Sequence, residues 1–427
     1  MAFFPGWSVI PFILMLAAMA ILPVATPAWW SSNRNKGVLS AIVSIPILIL
    51  VVFFGCQPKL LVHSMLDYVS FIILLGSLYV ISGGIHIRGT WSGTPLVNTL
   101  FLGVGAVLAN LIGTTGASML LIRPYMRANH KRQRRAHQIV FFIFIVSNIG
   151  GLLTPFGDPP LFLGFLRGVP FHWTFRLFPQ WFFAVAAILI VFNFLDQYIF
   201  TKEDIETPGA LTEEVQSNRR LHIEGGANFL YLLGVMAAAP LSGYFGWPRG
   251  IQESIMAAMA LLSWFHTPRP IHKANHFSFE PIVEVAALFL GIFVTMVPAL
   301  EILSRKAPSW NLTHAWQYFW MTGTLSSFLD NAPTYLTFAA LASGSLGGTI
   351  ENLGGLVHSS LGQNLLRAIS CGAVFMGANT YIGNGPNLMV RSIAEHSGIR
   401  MPSFAGYMGY SLAILVPIFI AITFIFF

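Results

Sequence analysis

Two carboxylates in this sequence sit where a carboxylate is costly. Asp330 lies in the apolar stretch 314–346, beside Asn331 and ahead of Pro333 and Thr334; Asp158 lies in the stretch 138–163, between Gly157 and Pro159. Burying an acid at mid-membrane costs ~2.5–3.5 kcal/mol even on the lenient insertion scale, which makes such a residue a functional candidate by default. Oxygen ligands suit a small hard cation, and a chain break frees backbone carbonyls to join them. Asp330, with Asn331 and Thr380, is therefore the candidate Na⁺ site, and one carboxylate shared between a proton and a cation gives exchange chemistry. Asp158 can also cap the half-helix that starts at Pro159, since Asp is a good N-cap and Pro suits the first turn. Glu284 is a further possible proton site. Glu280, Glu301 and Asp67 fall near segment ends, where exposure or snorkelling is expected.

Neutral polar residues cluster around the same places. Asn110, Thr114, Thr115, Ser118, Asn148, Thr154 and Gly157 come from the first half of the chain. Ser326, Ser327, Thr334, Asn379, Thr380, Gly383, Asn384 and Asn387 come from the second. Their hydroxyl and amide oxygens can ligate a cation, and the same groups can donate to a carboxylate near half-helix N-termini.

A short pattern recurs among them. Thr154-Pro-Phe-Gly157-Asp158-Pro-Pro160 and Thr380-Tyr-Ile-Gly383-Asn384-Gly-Pro386 both fit Thr-x-x-Gly-[Asp/Asn]-x-Pro, each inside a hydrophobic segment. Paired broken segments in corresponding positions of two halves point to a transporter's binding site.

The elements that must position these residues are membrane helices. The chain is 55% hydrophobic and 9% charged, with mean hydropathy +0.69, whereas soluble domains carry roughly 25% charge. Apolar segments of spanning character occur near 8–24, 37–55, 68–85, 138–163, 180–200, 227–245, 250–266, 282–302, 363–390 and 404–427, about ten in all. Two more, 95–122 and 314–346, have polar centres and read as re-entrant hairpins, tolerable where protein or a wet cavity satisfies the backbone. The first apolar run lacks the basic leader of a signal peptide and reads as a spanning helix.

Charge placement supports this arrangement. With both hairpins re-entrant, one side receives 16 of the 23 Lys and Arg and the other 23 − 16 = 7. The rich side is then cytoplasmic and both termini lie outside. Five crossings per half make the halves inverted repeats, 1–200 and 227–427, joined by a polar linker at 201–226. The basic run from Arg127 to Arg135 reads as a topogenic cytoplasmic loop, and no nucleic-acid partner is expected. The expected fold is an all-α polytopic membrane protein, with a bacterial inner membrane as its setting.

Other chemistry is not encoded. There is no Walker motif, His-Glu-x-x-His, nucleophile elbow or Cys-x-x-Cys, and no cofactor is expected. Asn311-Leu-Thr313 is a glycosylation sequon by pattern only. Cys56 and Cys371 read as buried thiols, and the eleven Trp as interfacial anchors. An intramembrane enzyme or receptor is disfavoured, because a catalytic site requires no inverted symmetry.

Ser327-Phe-Leu-Asp330-Asn331-Ala-Pro333-Thr334 and Gly377-Ala-Asn379-Thr380-Tyr-Ile-Gly383-Asn384-Gly-Pro386-Asn387 resemble the second-half signature of the ion transporter superfamily. Ser147-Asn148-Ile-Gly150-Gly151, running into Thr154–Pro160, resembles its first-half motif. That superfamily includes NhaD-type Na⁺/H⁺ antiporters, ArsB-type arsenite exporters, and citrate (CitMHS-like) and dicarboxylate carriers. The resemblance implies a homodimer whose hairpins and broken helices move, elevator-like, against a scaffold. Dicarboxylate members typically carry Ser-Asn-Thr at both hairpin tips; here the tips read Gly113-Thr114-Thr115 and Asp330-Asn331-Ala332. Asp330 would repel an anion in a low-dielectric site. The sequence thus favours Na⁺ (or Li⁺)/H⁺ antiport, with cation-coupled citrate, dicarboxylate or metal-citrate transport as the alternative.

Overall fold

A computed structural model describes residues 3–206, 219–248, 250–310 and 312–427. Part of the linker, 207–218, and Asn311 of the sequon lie outside the described residues. Among those described, nine helices are long and apolar enough to cross a membrane. Their outer faces carry exposed Ile42, Val52, Phe53 and Phe424, a surface that only lipid can cover. The protein is an all-α polytopic membrane protein.

The first half runs through α1 (Ile10–Ala25), α2 (Pro27–Trp30), α3 (Asn33–Phe54), α4 (Pro58–Gly83) and α5 (Pro95–Ala128). Although 34 residues long, α5 folds back on itself at Gly113, whose φ of 76° and ψ of 155° are not helical. A Cβ at Gly105 would lie 3.3 Å from the Leu121 side chain, and the Asn98 and Asn129 amides exchange hydrogen bonds of 2.9 Å at the two ends. Only a hairpin brings such positions together. A broken segment follows: α6 (Ala136–Ile145), a 3-10 turn (Ile149–Leu153), an extended Thr154, and α7 (Pro159–Leu166). The half closes with α8 (Phe178–Glu206).

The second half runs through α9 (Asn228–Phe245), α10 (Ile251–His266), α11 (Arg269–Ala274) and α12 (Glu280–Lys306). Then α13 (Ala315–Ser326) and α14 (Asn331–Ser345) pack on each other, joined through Ser327–Asp330. The next segment breaks as the earlier one does: α15 (Ser360–Met376), a 3-10 turn (Gly377–Asn379), an extended Thr380, and α16 (Gly385–His396). The chain ends in α17 (Phe404–Tyr410), a π turn (Ser411–Leu415) and α18 (Val416–Phe426).

The two breaks share their backbone. Thr154 has φ −135° and ψ 155°, and Thr380 −138° and 166°. The caps that follow, Asp158 and Asn384, are at −145°, 143° and −153°, 142°. Proline in the first turn of each half-helix sacrifices no hydrogen bond that the helix would otherwise make.

Several expectations differ from what forms. The linker is not wholly irregular: β2 (Arg219–Glu224) pairs antiparallel with β1 (His86–Thr90), Ile87 facing Ile223, and Arg88 reaches Glu224 at 3.0 Å. Asp67 and Glu301 are buried rather than snorkelling, because each lies against protein at its segment end; Glu280 is exposed as expected. Within the basic run, Arg132 is fully buried and meets Asp196 at 2.9 Å and Glu203 at 2.6 Å, so it is more than a topogenic loop charge. Both cysteines are free and buried.

Candidate functional site

Asp158 is the point where both hairpin tips and both breaks converge. It is buried as the N-cap of α7. Thr114, one residue past the first tip, donates to its Oδ1 at 3.1 Å. Asn331, one residue past Asp330 at the second tip, donates to Oδ2 at 2.5 Å. Asn384, the cap of α16, lies 3.3 Å from Oδ1. Three neutral donors hold the carboxylate, with no basic partner among these contacts.

The tips themselves are clamped to the breaks in the same way in each half. Thr154 Oγ1 donates to Asn110 O at 2.5 Å, and Gly157 N donates back to Thr154 Oγ1 at 3.1 Å. In the second half the Thr380 hydroxyl donates to Ser327 O, and Ile382 N donates to it at 3.2 Å. The glycines allow the breaks to close: a Cβ on Gly157 would stand 2.1 Å from Gly151 O, and one on Gly383 2.5 Å from Gly377 O. Each break is also propped by the helix that closes its half. Trp181 Nε1 donates to Gly150 O and Tyr407 Oη to Ala378 O, both at 2.9 Å. Thr174 likewise serves Leu153 O, and Ser411, at the π turn, serves Asn379 O.

Asparagines stitch the halves together. Asn148 Nδ2 donates to Asn387 Oδ1 at 2.7 Å, while Asn384 Nδ2 lies 3.2 Å from Asn148 Oδ1. Asn387 in turn donates to Gly377 O and Thr380 O, both at 2.9 Å.

Asp330 occupies a different position. It caps α14, accepting from Ala332 N at 3.0 Å, and its backbone carbonyl accepts from the Thr334 hydroxyl. It faces a cavity of ≈ 430 Å³ whose wall also includes Thr115, Glu284, Phe328, Asn384 and Ser392. No Lys, Arg or His is among the residues that line it. Glu284 is held from outside the cavity by the buried Lys36, 2.7 Å away. Lys36 therefore balances Glu284, leaving Asp330 as the unbalanced charge of the wall.

Not every sequence candidate joins this centre. Ser118 pairs with Ser147 at 2.8 Å, Ser326 donates to Ala373 O, and Ser327 Oγ donates to Gly323 O and accepts from Asn379 Nδ2. The Asn110 side chain is spent on Ala106 O and Leu153 N. Of the proposed cation ligands, Thr380 has both hydroxyl roles taken by backbone, whereas Asn331 Oδ1 is buried and accepts nothing among the described residues. Asn379 Oδ1 is likewise unpartnered.

The chain matches, over residues 2–427, the family described as "Putative citrate transport". It belongs to that family. No curated protein matches it. Membership in the citrate-transport family makes the protein a membrane transporter, with the bilayer and a small-molecule substrate as its partners.

Sequence reasoning missed the buried pair Asp67–Arg167, the buried Arg132 cluster and the pairing of buried Lys36 with the more exposed Glu284, because long-range pairing leaves no local pattern. It also missed the props, for which a signal existed. Thr154 and Thr380 differ by 380 − 154 = 226 residues, and Trp181 and Tyr407 by 407 − 181 = 226.

Proposed function

We propose that this member of the citrate-transport family is a cation-coupled secondary transporter that carries a citrate-like carboxylate together with its cation. The cavity supports this reading. At ≈ 430 Å³ it has far more room than a lone Na⁺ or proton needs, yet its wall offers carboxylates and no basic side chain. A bare trianion held ~8 Å from Asp330 would meet ~6 kcal/mol of repulsion at an effective dielectric of ~20. The anion must therefore arrive neutralised. Asp330, on the open side of the tip, is the group that meets the cation, and the free Asn331 Oδ1 adds a neutral oxygen. Asp158 lies behind them, held by the tips and breaks through Thr114, Asn331 and Asn384.

In this reading the two halves are inverted repeats, supported by the matched backbone of the breaks and by the repeated clamps and props. The cavity opens at the end bearing α2, the start of α12 and the end of α16, which the basic loops mark as cytoplasmic. Alternating access follows when the hairpins and broken helices move, elevator-like, against the remaining helices.

Na⁺ (or Li⁺)/H⁺ exchange is the second reading, favoured by the enclosure of Asp158 in hydroxyl and amide groups alone. Proteoliposomes separate the two. Uptake of labelled citrate that requires Mg²⁺ or Na⁺, and that Asp330→Asn abolishes, is the expected result. Absence of citrate uptake with every cation offered, alongside collapse of an imposed ΔpH on Na⁺ addition, would replace the first reading with the second.

A further inference from the structure

On the face opposite the large cavity lies a buried ion pair. Arg167, the C-cap of α7, places Nε 3.1 Å from Asp67 Oδ2 on α4, and both side chains are over nine-tenths buried. The two cavities lie at opposite ends of α12. Glu284 lines the large one, while Val297 lines a small cavity of ≈ 30 Å³ beside the pair. Those residues are 297 − 284 = 13 apart on one helix, or ~20 Å along its axis.

The pair is also a partition. Asp67 and Leu166 line both the small cavity and a larger crevice of ≈ 470 Å³ between α4 and the α9–α10 turn. Asp67 thus stands between the two spaces, with Arg167 on the side of the small one.

Finally, the pair bridges two groups of elements that are each stitched internally. On one side, α4 is fastened to α10 and α12: Ser64 donates to Phe293 O, Tyr68 to Ala286 O, Ser70 to Glu253, and Ser77 to Met256 O. On the other, Arg167 is fastened to the loop that follows the second hairpin. Its carbonyl accepts from Leu353 N at 2.7 Å, and its guanidinium reaches Ile350 O at 3.4 Å. The α7 end is thus fastened to the second-hairpin loop, and α4 to α10 and α12.

We propose that Asp67–Arg167 is the closed gate of the face opposite the cavity, a latch made in this conformation and broken when that face opens. The gate rests on the transport reading for its purpose, but its state can be read without any substrate. A ligand-free protein holds its two faces in an equilibrium that the latch biases, so removing it shifts the populations. In a Cys56→Ser, Cys371→Ser background, a reporter Ser392→Cys marks the large cavity and Val297→Cys, buried in this conformation, the small one. Labelling by a membrane-impermeant maleimide is compared with and without the latch. Asp67→Leu with Arg167→Met removes both charges while keeping apolar volume, so the protein remains folded where a single charge deletion could fail. The expected outcome is labelling of Ser392→Cys roughly tenfold slower and of Val297→Cys roughly tenfold faster. Arg167→Gln, where size-exclusion shows it intact, shifts both in the same directions. Unchanged rates at both reporters in the folded double variant overturn the gate and leave a purely structural ion pair. A labelling shift in a protein that moves no substrate would keep the gate and sink the transport reading instead.

Discussion

Asp158 and Asp330 are both acids at chain breaks, yet their surroundings give them different work. Asp158 accepts from Thr114, Asn331 and Asn384, so its removal disturbs four elements together. Asp158→Asn turns an acceptor into a group that must donate toward other donors. It is expected to lower detergent-solubilised stability, by ~1–3 kcal/mol for the polar atoms left unpaired, and to abolish transport. Asp330→Asn keeps the fold, because its cap contact to Ala332 N needs only one oxygen; thermal melting should be near wild type while flux is lost. A flux assay beside a melting curve tells the two apart, and equal melting losses would contradict the division of roles. Gly157→Ala is a third case. Its Cβ would meet Gly151 O at 2.1 Å, a backbone clash that side-chain rotation cannot relieve, so a loss of ~1–3 kcal/mol is expected, read as a lowered melting temperature.

Among the elements, the closing helices carry a job that sequence patterns only half reveal. Trp181 and Tyr407 each satisfy a carbonyl freed by the break in their own half. Tyr407→Phe should cost ~1 kcal/mol and slow transport through the second break more than it lowers stability, since ring packing remains. The hairpins and broken helices were legible because Gly, Pro and Asp inside apolar runs admit few explanations. Burial at segment ends was not legible. Asp67 and Arg132 look like interfacial charges when only their neighbours in sequence are considered, and their partners Arg167, Asp196 and Glu203 lie 64 to 100 residues away. Arg132 ties the base of the first hairpin to α8. Removing it takes the guanidinium from two buried carboxylates, Asp196 and Glu203, so Arg132→Ala is expected to cost ~3–5 kcal/mol, visible as loss of monodisperse protein on size exclusion.

At the scale of the whole molecule, the proposed cargo is a carboxylate larger than a bare ion, and beside the acidic wall of the cavity such an anion would travel neutralised. Replacing Glu284 by Gln leaves Lys36 as an unbalanced cation behind the wall. The prediction is weaker affinity for the accompanying cation, seen as a higher concentration of Mg²⁺ or Na⁺ for half-maximal citrate uptake with the maximal rate preserved. The substrate itself could not be read from the sequence, because the residues that shape the cavity come from α1, α2, α5, α12, the tip between α13 and α14, and α16 with the break before it, and their meeting is a property of packing.

The stitching of one half to the other also orders events in time. Two of the three donors to Asp158 lie 173 and 226 residues further along the chain. As the first half leaves the ribosome, Asp158 has only Thr114 to serve it, in a setting where an unserved carboxylate is expensive. The first broken segment must then wait, hydrated or only partly inserted, until Asn331 and Asn384 are made. Completion of the site and completion of the polypeptide are one event, and a chain cut short in its second half carries a built-in mark of being unfinished.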